Sequence, residues 1–156
     1  MIMDTSLVFL DADFSSRDDL FHTMGSWLKD NGYVNEDYRE AVCRREEEFP
    51  TGLKVPGHQL AIPHTDSEYI EKPGLVFVRP KNPLAFQEMC SGDPVYAEMI
   101  FLLLVKDKKD QMPLLSGLMA RFGDGELMDR LSRETDPEVI ADLLDHCVKG
   151  ETTCLS

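Results

Sequence analysis

Two of the chain's four histidines lie close together in the segment "FPTGLKVPGHQLAIPHTDS", residues 49–67. The second of them, His64, follows a short apolar run and a proline, and a Thr-Asp-Ser turn follows it. Imidazole is a neutral nucleophile near pH 7, because its ordinary pKa is about 6.5. If the apolar run is a strand, His64 lies at the rim of a sheet, where α/β proteins place their ligands. The residue types alone leave open whether His64 is a nucleophile or a structural histidine.

The other histidine of this segment, His58, precedes His64 by six residues. On a regular strand an even spacing places both side chains on the same face of the sheet. Two histidines on one face are candidate metal ligands. No third ligand has a convincing spacing, however, and neither HExxH nor CxxC occurs in the chain. We therefore predict no metal here and expect His58 to support His64, through a hydrogen bond or as part of the pocket wall.

The sequence "CRREEEF", residues 43–49, places Arg44 and Arg45 near the end of a predicted helix and before a run of glutamates. Most of these residues are expected to form a solvated, salt-bridged face. One arginine at a helix end can nevertheless reach a pocket, and its planar guanidinium suits phosphate oxygens. The chain contains neither GxxxxGK[ST] nor GxGxxG, so the sequence indicates no nucleotide site.

Composition narrows the class of protein. A length of 156 residues predicts one domain. The net charge of −13 argues against binding to nucleic acid or to an anionic membrane surface. The longest apolar run, Met99 to Val105, is too short to span a bilayer, and the N-terminus lacks the basic start of a signal peptide. We expect a soluble cytoplasmic protein whose four cysteines are reduced thiols.

The elements that must position these side chains follow from hydrophobic periodicity and from breaking residues. We predict strands at residues 6–10, 58–63, 74–80 and 98–105, with a brief edge strand at 82–87. We predict helices at residues 15–32, 35–49, 110–124, 125–134 and 136–150, with Ser16, Asn35 and Asp136 as N-caps. This order predicts an α/β fold, a single domain in which helices cover both faces of one mixed sheet.

The motifs in combination resemble a known family. "RREEEFPTGL", "HQLAIPHTDS" and "GLVFVRPKNP" are similar to segments of the enzyme IIA component of the bacterial phosphoenolpyruvate-dependent sugar phosphotransferase system, in its fructose–mannitol class. "REEEFPTG" and "HQLAIPH" most resemble the galactitol-type subfamily. The likeness runs from about Leu7 to Cys147. It implies the phosphotransferase–anion transporter-like fold of type-2 IIA proteins, with a domain over residues 1–150 and a C-terminal tail at 151–156.

The resemblance also implies roles for individual residues. It makes His64 the residue that carries a phosphoryl group, Arg45 the arginine of the pocket, and Thr51 a neighbour through its turn. Many fructose- and mannitol-type members have a second histidine at the start of a late helix, where this chain has Gln111. A glutamine can donate a hydrogen bond to a phosphoryl oxygen or to an imidazole, but it cannot accept a proton from the reaction. The resemblance therefore leaves Gln111 a positioning role.

The implied partners are the phosphocarrier HPr, which donates to His64, and a IIB component whose cysteine receives the group. Through IIB the protein serves the membrane channel IIC and the uptake of a sugar or alditol, without a metal or other cofactor. Nitrogen-type relatives share the fold and the histidine but act by binding other proteins, so a regulatory role is an alternative. A metal-binding or structural module that uses His58 and His64 is another. The sequence identifies neither the sugar, the phosphorylated ring nitrogen nor the oligomeric state.

Overall fold

The computed structural model of the chain describes residues 7–149, and the predicted tail at 151–156 lies outside the described residues. Within this part of the chain five α-helices and seven strands follow one another as one strand, two helices, six strands and three helices. The helices are α1 (Arg17–Asp30), α2 (Tyr38–Glu48), α3 (Gln111–Phe122), α4 (Gly125–Arg133) and α5 (Pro137–Lys149). The strands are β1 (Val8–Ala12), β2 (Gly52–Val55), β3 (His58–Ala61), β4 (Gly74–Pro80), β5 (Leu84–Gln87), β6 (Pro94–Ala97) and β7 (Met99–Leu104).

Five of the strands form one mixed sheet in the order β1-β4-β7-β3-β2. The pairs β1–β4 and β3–β7 are parallel, whereas β4–β7 and β2–β3 are antiparallel. The strands β5 and β6 form a separate antiparallel pair. Since β3 and β7 run in the same direction, they end at the same edge of the sheet, and the antiparallel β2 begins there. We refer to this edge as the β3 exit edge.

Helices cover both faces of the five-stranded sheet. On one face Val76 and Ile100 belong to a buried cluster that includes side chains of α1 and α2. On the other face Leu75 and Phe101 belong to a cluster that includes side chains of α3, α4 and α5. This confirms the predicted α/β architecture, and it explains why β4 and β7 are almost continuously apolar in sequence.

The helix boundaries follow the capping chemistry at most predicted positions. The Ser16 hydroxyl oxygen accepts a hydrogen bond from the Asp19 N–H and begins α1, as predicted. The predicted cap of α2 is wrong, because Asp37 is the N-cap residue. The Asn35 side chain instead accepts a hydrogen bond from the Asp37 N–H at 3.0 Å and forms a turn before the helix.

The strands β2 and β6 were not expected from the sequence, because each is short and begins with a residue, Gly52 or Pro94, that usually marks a turn. Gly52 shows why β2 runs beside the small sheet. A Cβ atom on Gly52 would lie 2.5 Å from the carbonyl oxygen of Gln87, so only glycine allows the two backbones to approach this closely. None of the helices within residues 7–149 is long and apolar enough to cross a membrane.

Candidate active site

His64 lies at the β3 exit edge in extended backbone. Ala61 is opposite Ile100 in the parallel β3–β7 ladder, and the same register recurs three residues later, where His64 bridges to Leu103. The Leu103 N–H donates to the carbonyl oxygen of Pro63 at 3.1 Å. The chain therefore stays extended beside β7 beyond the end of β3, and it delivers His64 to the rim of the sheet.

The imidazole of His64 is held by one hydrogen bond to the backbone. Its Nδ1 lies 2.8 Å from the carbonyl oxygen of Ile62. A carbonyl oxygen only accepts hydrogen bonds, so Nδ1 carries the proton and Nε2 keeps its lone pair. The residue is 9% exposed. Burial is the main cause that lowers the pKa of His64 below its ordinary value, and the charge of Arg45 acts in the same direction. The ring is therefore neutral at pH 7, with Nε2 as the available nucleophilic atom.

Arg45 lies in the last turn of α2 and is fixed by two contacts. Its Nη1 lies 3.3 Å from Oδ1 of Asp66, two residues after His64. Its guanidinium carbon lies 5.0 Å from the ring centroid of Phe49, a residue that is 60% exposed. The ion pair and the aromatic contact orient the planar fork. Its neighbour Arg44 is exposed and faces Glu40 at 3.9 Å, so the structure distinguishes the two arginines.

Thr51 lies beside the segment that carries His64. Its carbonyl oxygen accepts a hydrogen bond from the Ile62 N–H at 3.3 Å. Its own N–H and hydroxyl both donate to the carboxylate of Glu46, at 2.7 Å and 2.8 Å. Thr51 thus lies beside the segment that carries His64, and its hydroxyl is hydrogen-bonded to Glu46.

Sequence reasoning missed Glu46, which is 1% exposed. A signal was available, because Glu46 continues the buried stripe of α2 that contains Tyr38 and Val42. A carboxylate on such a stripe must find hydrogen-bond partners inside the protein. Burial raises the pKa of Glu46 to about 7, even though its bonds to Thr51 favour the charged form.

His58 does not make the supporting contact with His64 that we expected from the sequence. It is the first residue of β3, and six extended residues span about 20 Å. Its Nδ1 is hydrogen-bonded to Glu98, and its Nε2 lies 2.6 Å from Oδ1 of Asp129 in α4. Burial disfavours its charged form, but the bonds to Asp129 and Glu98 outweigh burial and raise the pKa of His58. The even spacing along the strand gave no information about the distance between the two histidines.

Gln111 is the first residue of α3, which follows β7 after a short connection. Since β7 ends at the β3 exit edge, the topology brings the start of α3 to the edge that carries His64. The side chain of Gln111 is partly exposed, and within the described part of the chain it is not hydrogen-bonded to His64. Among residues 7–149, no three His, Cys, Asp or Glu side chains cluster in a way that would hold a metal ion.

The sequence matches a known protein family over most of its length. A family model described as "Phosphoenolpyruvate-dependent sugar phosphotransferase system, EIIA 2" matches residues 1–147. The galactitol-specific EIIA component of the phosphotransferase system from Escherichia coli is 26% identical over 118 residues, which cover 76% of this chain and 79% of that protein.

Solved structures share the fold over most of the chain. The nitrogen regulatory protein IIA-Ntr from Neisseria meningitidis is similar with a TM-score of 0.73 and 26% identity, over 90% of this chain and 94% of that chain. The mannitol enzyme IIA from Escherichia coli, solved in complex with phosphorylated mannitol enzyme IIB, has a TM-score of 0.71 at 22% identity. That match covers 96% of this chain and 98% of that one, and it shows a common fold.

Proposed function

Because the chain belongs to the type-2 enzyme IIA family of the phosphoenolpyruvate-dependent sugar phosphotransferase system, we propose that it carries a phosphoryl group on His64. HPr donates this group, and His64 passes it to a cysteine of a IIB component. IIB then phosphorylates a sugar or alditol during its entry through the membrane channel IIC. In this proposal the protein acts in the cytoplasm, and the transfers need no metal or other cofactor.

The state of the His64 ring is the observation that carries the proposal. The lone pair on Nε2 attacks the phosphorus of phosphorylated HPr, and the electrons of the breaking N–P bond return to the HPr histidine. The proton on Nδ1 stays in place, because the Nδ1–H donates a hydrogen bond to the carbonyl oxygen of Ile62 at 2.8 Å. That carbonyl dipole also stabilises the positive charge of the phosphorylated ring. In the second transfer a IIB thiolate attacks the phosphorus, and Nε2 recovers its electron pair.

This scheme requires the protein to align the reactants rather than to move protons. Phosphoryl transfer passes through a loose transition state, so alignment and charge stabilisation supply most of the rate. Arg45 is the proposed ligand of the phosphoryl oxygens, since a guanidinium fork binds two of them at once. Gln111 donates a hydrogen bond from the start of α3. Neither residue has to titrate, which agrees with a glutamine at position 111.

The transported compound is a finer proposal. The 26% identity to the galactitol-specific EIIA component of Escherichia coli supports a galactitol-like alditol. In this scheme IIA never contacts the transported molecule, because recognition takes place in IIB and IIC.

A regulatory role is the second candidate function. The nitrogen regulatory protein IIA-Ntr is also 26% identical to this chain and similar over 90% of its length. The two candidates share the fold and the histidine, but they differ in the fate of the phosphoryl group. A transport protein passes the group to a IIB cysteine, whereas a regulator retains it and changes its affinity for another protein.

The experiment tests phosphorylation of His64 first and the fate of the phosphoryl group second. The protein is incubated with phosphoenolpyruvate, enzyme I and HPr, and phosphate that is acid-labile and base-stable is measured. We expect full labelling of wild type and of the control variant His22→Ala, which changes an exposed histidine, but none of His64→Ala. Labelling of His64→Ala would contradict the proposal. Galactitol-type and mannitol-type IIB proteins are then added. Transfer of the phosphoryl group to a IIB cysteine supports a transport role. Retention of the group on His64 in the presence of either IIB protein favours a regulatory role.

A further inference from the structure

Glu46 is a buried charged residue one position away from the proposed phosphoryl ligand Arg45. It is 1% exposed, and both of its carboxylate oxygens are used. Oε2 accepts from the Thr51 N–H at 2.7 Å, and Oε1 accepts from the Thr51 hydroxyl at 2.8 Å. A buried carboxylate is costly unless it is hydrogen-bonded in this way. The arrangement ties the last turn of α2 to the residue that precedes β2.

The hydrogen bonds continue from Thr51 to the catalytic ring. The carbonyl oxygen of Thr51 accepts from the Ile62 N–H at 3.3 Å. The carbonyl oxygen of Ile62 accepts from Nδ1 of His64 at 2.8 Å. Three links therefore join four residues in series from the Glu46 carboxylate to the imidazole, and the last link determines which ring nitrogen carries the proton.

The segment before His64 depends on such anchors, because regular pairing of β3 ends at Ala61. Pro63 has no N–H to donate, so its carbonyl oxygen alone anchors it, through the N–H of Leu103 in β7. On the other side the Ile62 N–H reaches Thr51. The segment is thus held on one side by a central strand and on the other by a residue whose own position depends on Glu46.

We propose that Glu46 is a positioning residue for His64, which acts through Thr51 and Ile62 to fix the tautomer and orientation of the imidazole. Its effect on the rate rests on the proposed phosphoryl transfer, but its effect on the ring does not.

Both protonation states of Glu46 can serve this role. The ionised carboxylate accepts two hydrogen bonds from Thr51. After protonation, one oxygen still accepts from the Thr51 N–H, and the new O–H donates to the Thr51 hydroxyl oxygen, which also accepts. The same geometry is open to a glutamine. Burial raises the pKa of Glu46 to about 7, so both forms are populated near neutral pH.

This equivalence defines the test variants. Glu46→Gln keeps two hydrogen bonds to Thr51, with the amide oxygen on the N–H and the amide nitrogen on the hydroxyl. Glu46→Leu has a similar shape but removes both bonds. Glu47→Leu is the matched control, because Glu47 is the exposed neighbour on the same helix.

The first measurement is nitrogen NMR of the His64 ring in the unphosphorylated protein, which distinguishes protonated from unprotonated ring nitrogens. We expect a single Nδ1–H form in wild type, Glu46→Gln and Glu47→Leu, and a mixture of both tautomers in Glu46→Leu. The second is the rate of phosphorylation by phosphorylated HPr. We expect Glu46→Leu to be slower by about 10-fold to 100-fold, the order expected when a reacting group is misplaced. The other two variants should stay close to wild type.

A folded Glu46→Leu protein with a single Nδ1–H ring and a normal rate would overturn the proposal. If Glu46→Leu does not fold, Thr51→Val and Thr51→Ser decide the question. Valine removes the hydroxyl contact at nearly constant shape, and serine retains it. A tautomer mixture in the valine variant alone supports the proposal, and identical spectra for the two variants contradict it. If wild type takes up no phosphoryl group at all, the proposed function fails, and the ring spectra still decide whether Glu46 positions His64.

Discussion

Replacement of Glu46 by glutamine should change how the stability of the protein depends on pH. The pKa of Glu46 is raised from its ordinary 4.5 to about 7, chiefly by burial. Between these two pH values the folded state binds a proton that the unfolded state has lost. The contribution of Glu46 to the free energy of unfolding therefore falls as pH rises through this window, and it is constant above it. A difference of about 2.5 between the two pKa values corresponds to about 3 kcal/mol.

Glu46→Gln removes this penalty while it retains the two hydrogen bonds to Thr51. We expect the variant and the wild type to have similar free energies of unfolding near pH 5. The variant should then become more stable relative to wild type, by up to about 3 kcal/mol at pH 8. This difference in the free energy of unfolding is the largest expected, because residual structure in the unfolded chain and solvent access to the site both reduce it.

The assay is urea unfolding at several pH values from 5 to 8.5, analysed by linear extrapolation. Glu47→Gln provides the control, because it removes the same charge from an exposed position on α2. Other titrating groups are common to all three proteins and cancel when the free energies are subtracted. A gap between Glu46→Gln and wild type that stays constant with pH would refute titration of Glu46 in this window. A gap that favours wild type as pH rises would show that the buried carboxylate is a net stabiliser.

Three further predictions concern the other polar residues. Arg45→Lys should slow phosphorylation of His64 by about 10-fold to 100-fold, since the loss of one charge-assisted contact costs about 1.5–3 kcal/mol. Arg44→Lys, measured in the same transfer assay, should leave this rate almost unchanged. Gln111→Ala should lower the transfer rate by a similar factor at every pH from 5 to 9, and a pH-dependent factor would imply proton transfer. The raised pKa of His58 stabilises the fold below its ordinary pKa of 6.5, and this contribution disappears as pH rises through the raised value. The stability gap between wild type and His58→Asn in urea should therefore shrink towards pH 8.5.

The sequence was most informative where burial imposes a hydrophobic period, or where a helix cap has a side-chain oxygen that accepts a hydrogen bond. The apolar run of β4 predicted its bounds, Gly74–Pro80, and the hydroxyl of Ser16 predicted the start of α1. It was least informative for β2 and β6, because each is short and begins with a residue, Gly52 or Pro94, that usually marks a turn. Their pairing depends on the approach of Gly52 to the backbone of Gln87, which is a contact between residues 35 positions apart.

The candidate site shows the same division. The sequence identified His64 and Arg45 as candidate site residues, and the structure places Arg45 beside Asp66, two residues after His64; their roles stay predictions. The ring tautomer could not be predicted, because it depends on the carbonyl oxygen of Ile62, and every residue carries a carbonyl. The burial of Glu46 was missed because the glutamate run 46–48 was interpreted as solvated, although the stripe of Tyr38 and Val42 continues to Glu46. Only the register of α2 determines which of the three glutamates is buried.

The register of α2 determines where Arg45 and Glu46 point. Successive residues on a helix point about 100° apart, so Arg45 and Glu46 leave α2 in different directions. The burial of Tyr38, Ala41 and Val42 fixes the rotation of the helix against the sheet. With this rotation Glu46 points into the core towards Thr51, while Arg45, whose side chain is 33% exposed, reaches the rim beside Asp66. A rotation by one residue would bury the arginine and expose the carboxylate. The core contacts of α2 therefore set both the proposed phosphoryl ligand and the proposed anchor of the His64 ring, because neighbouring positions on one helix turn cannot be adjusted independently.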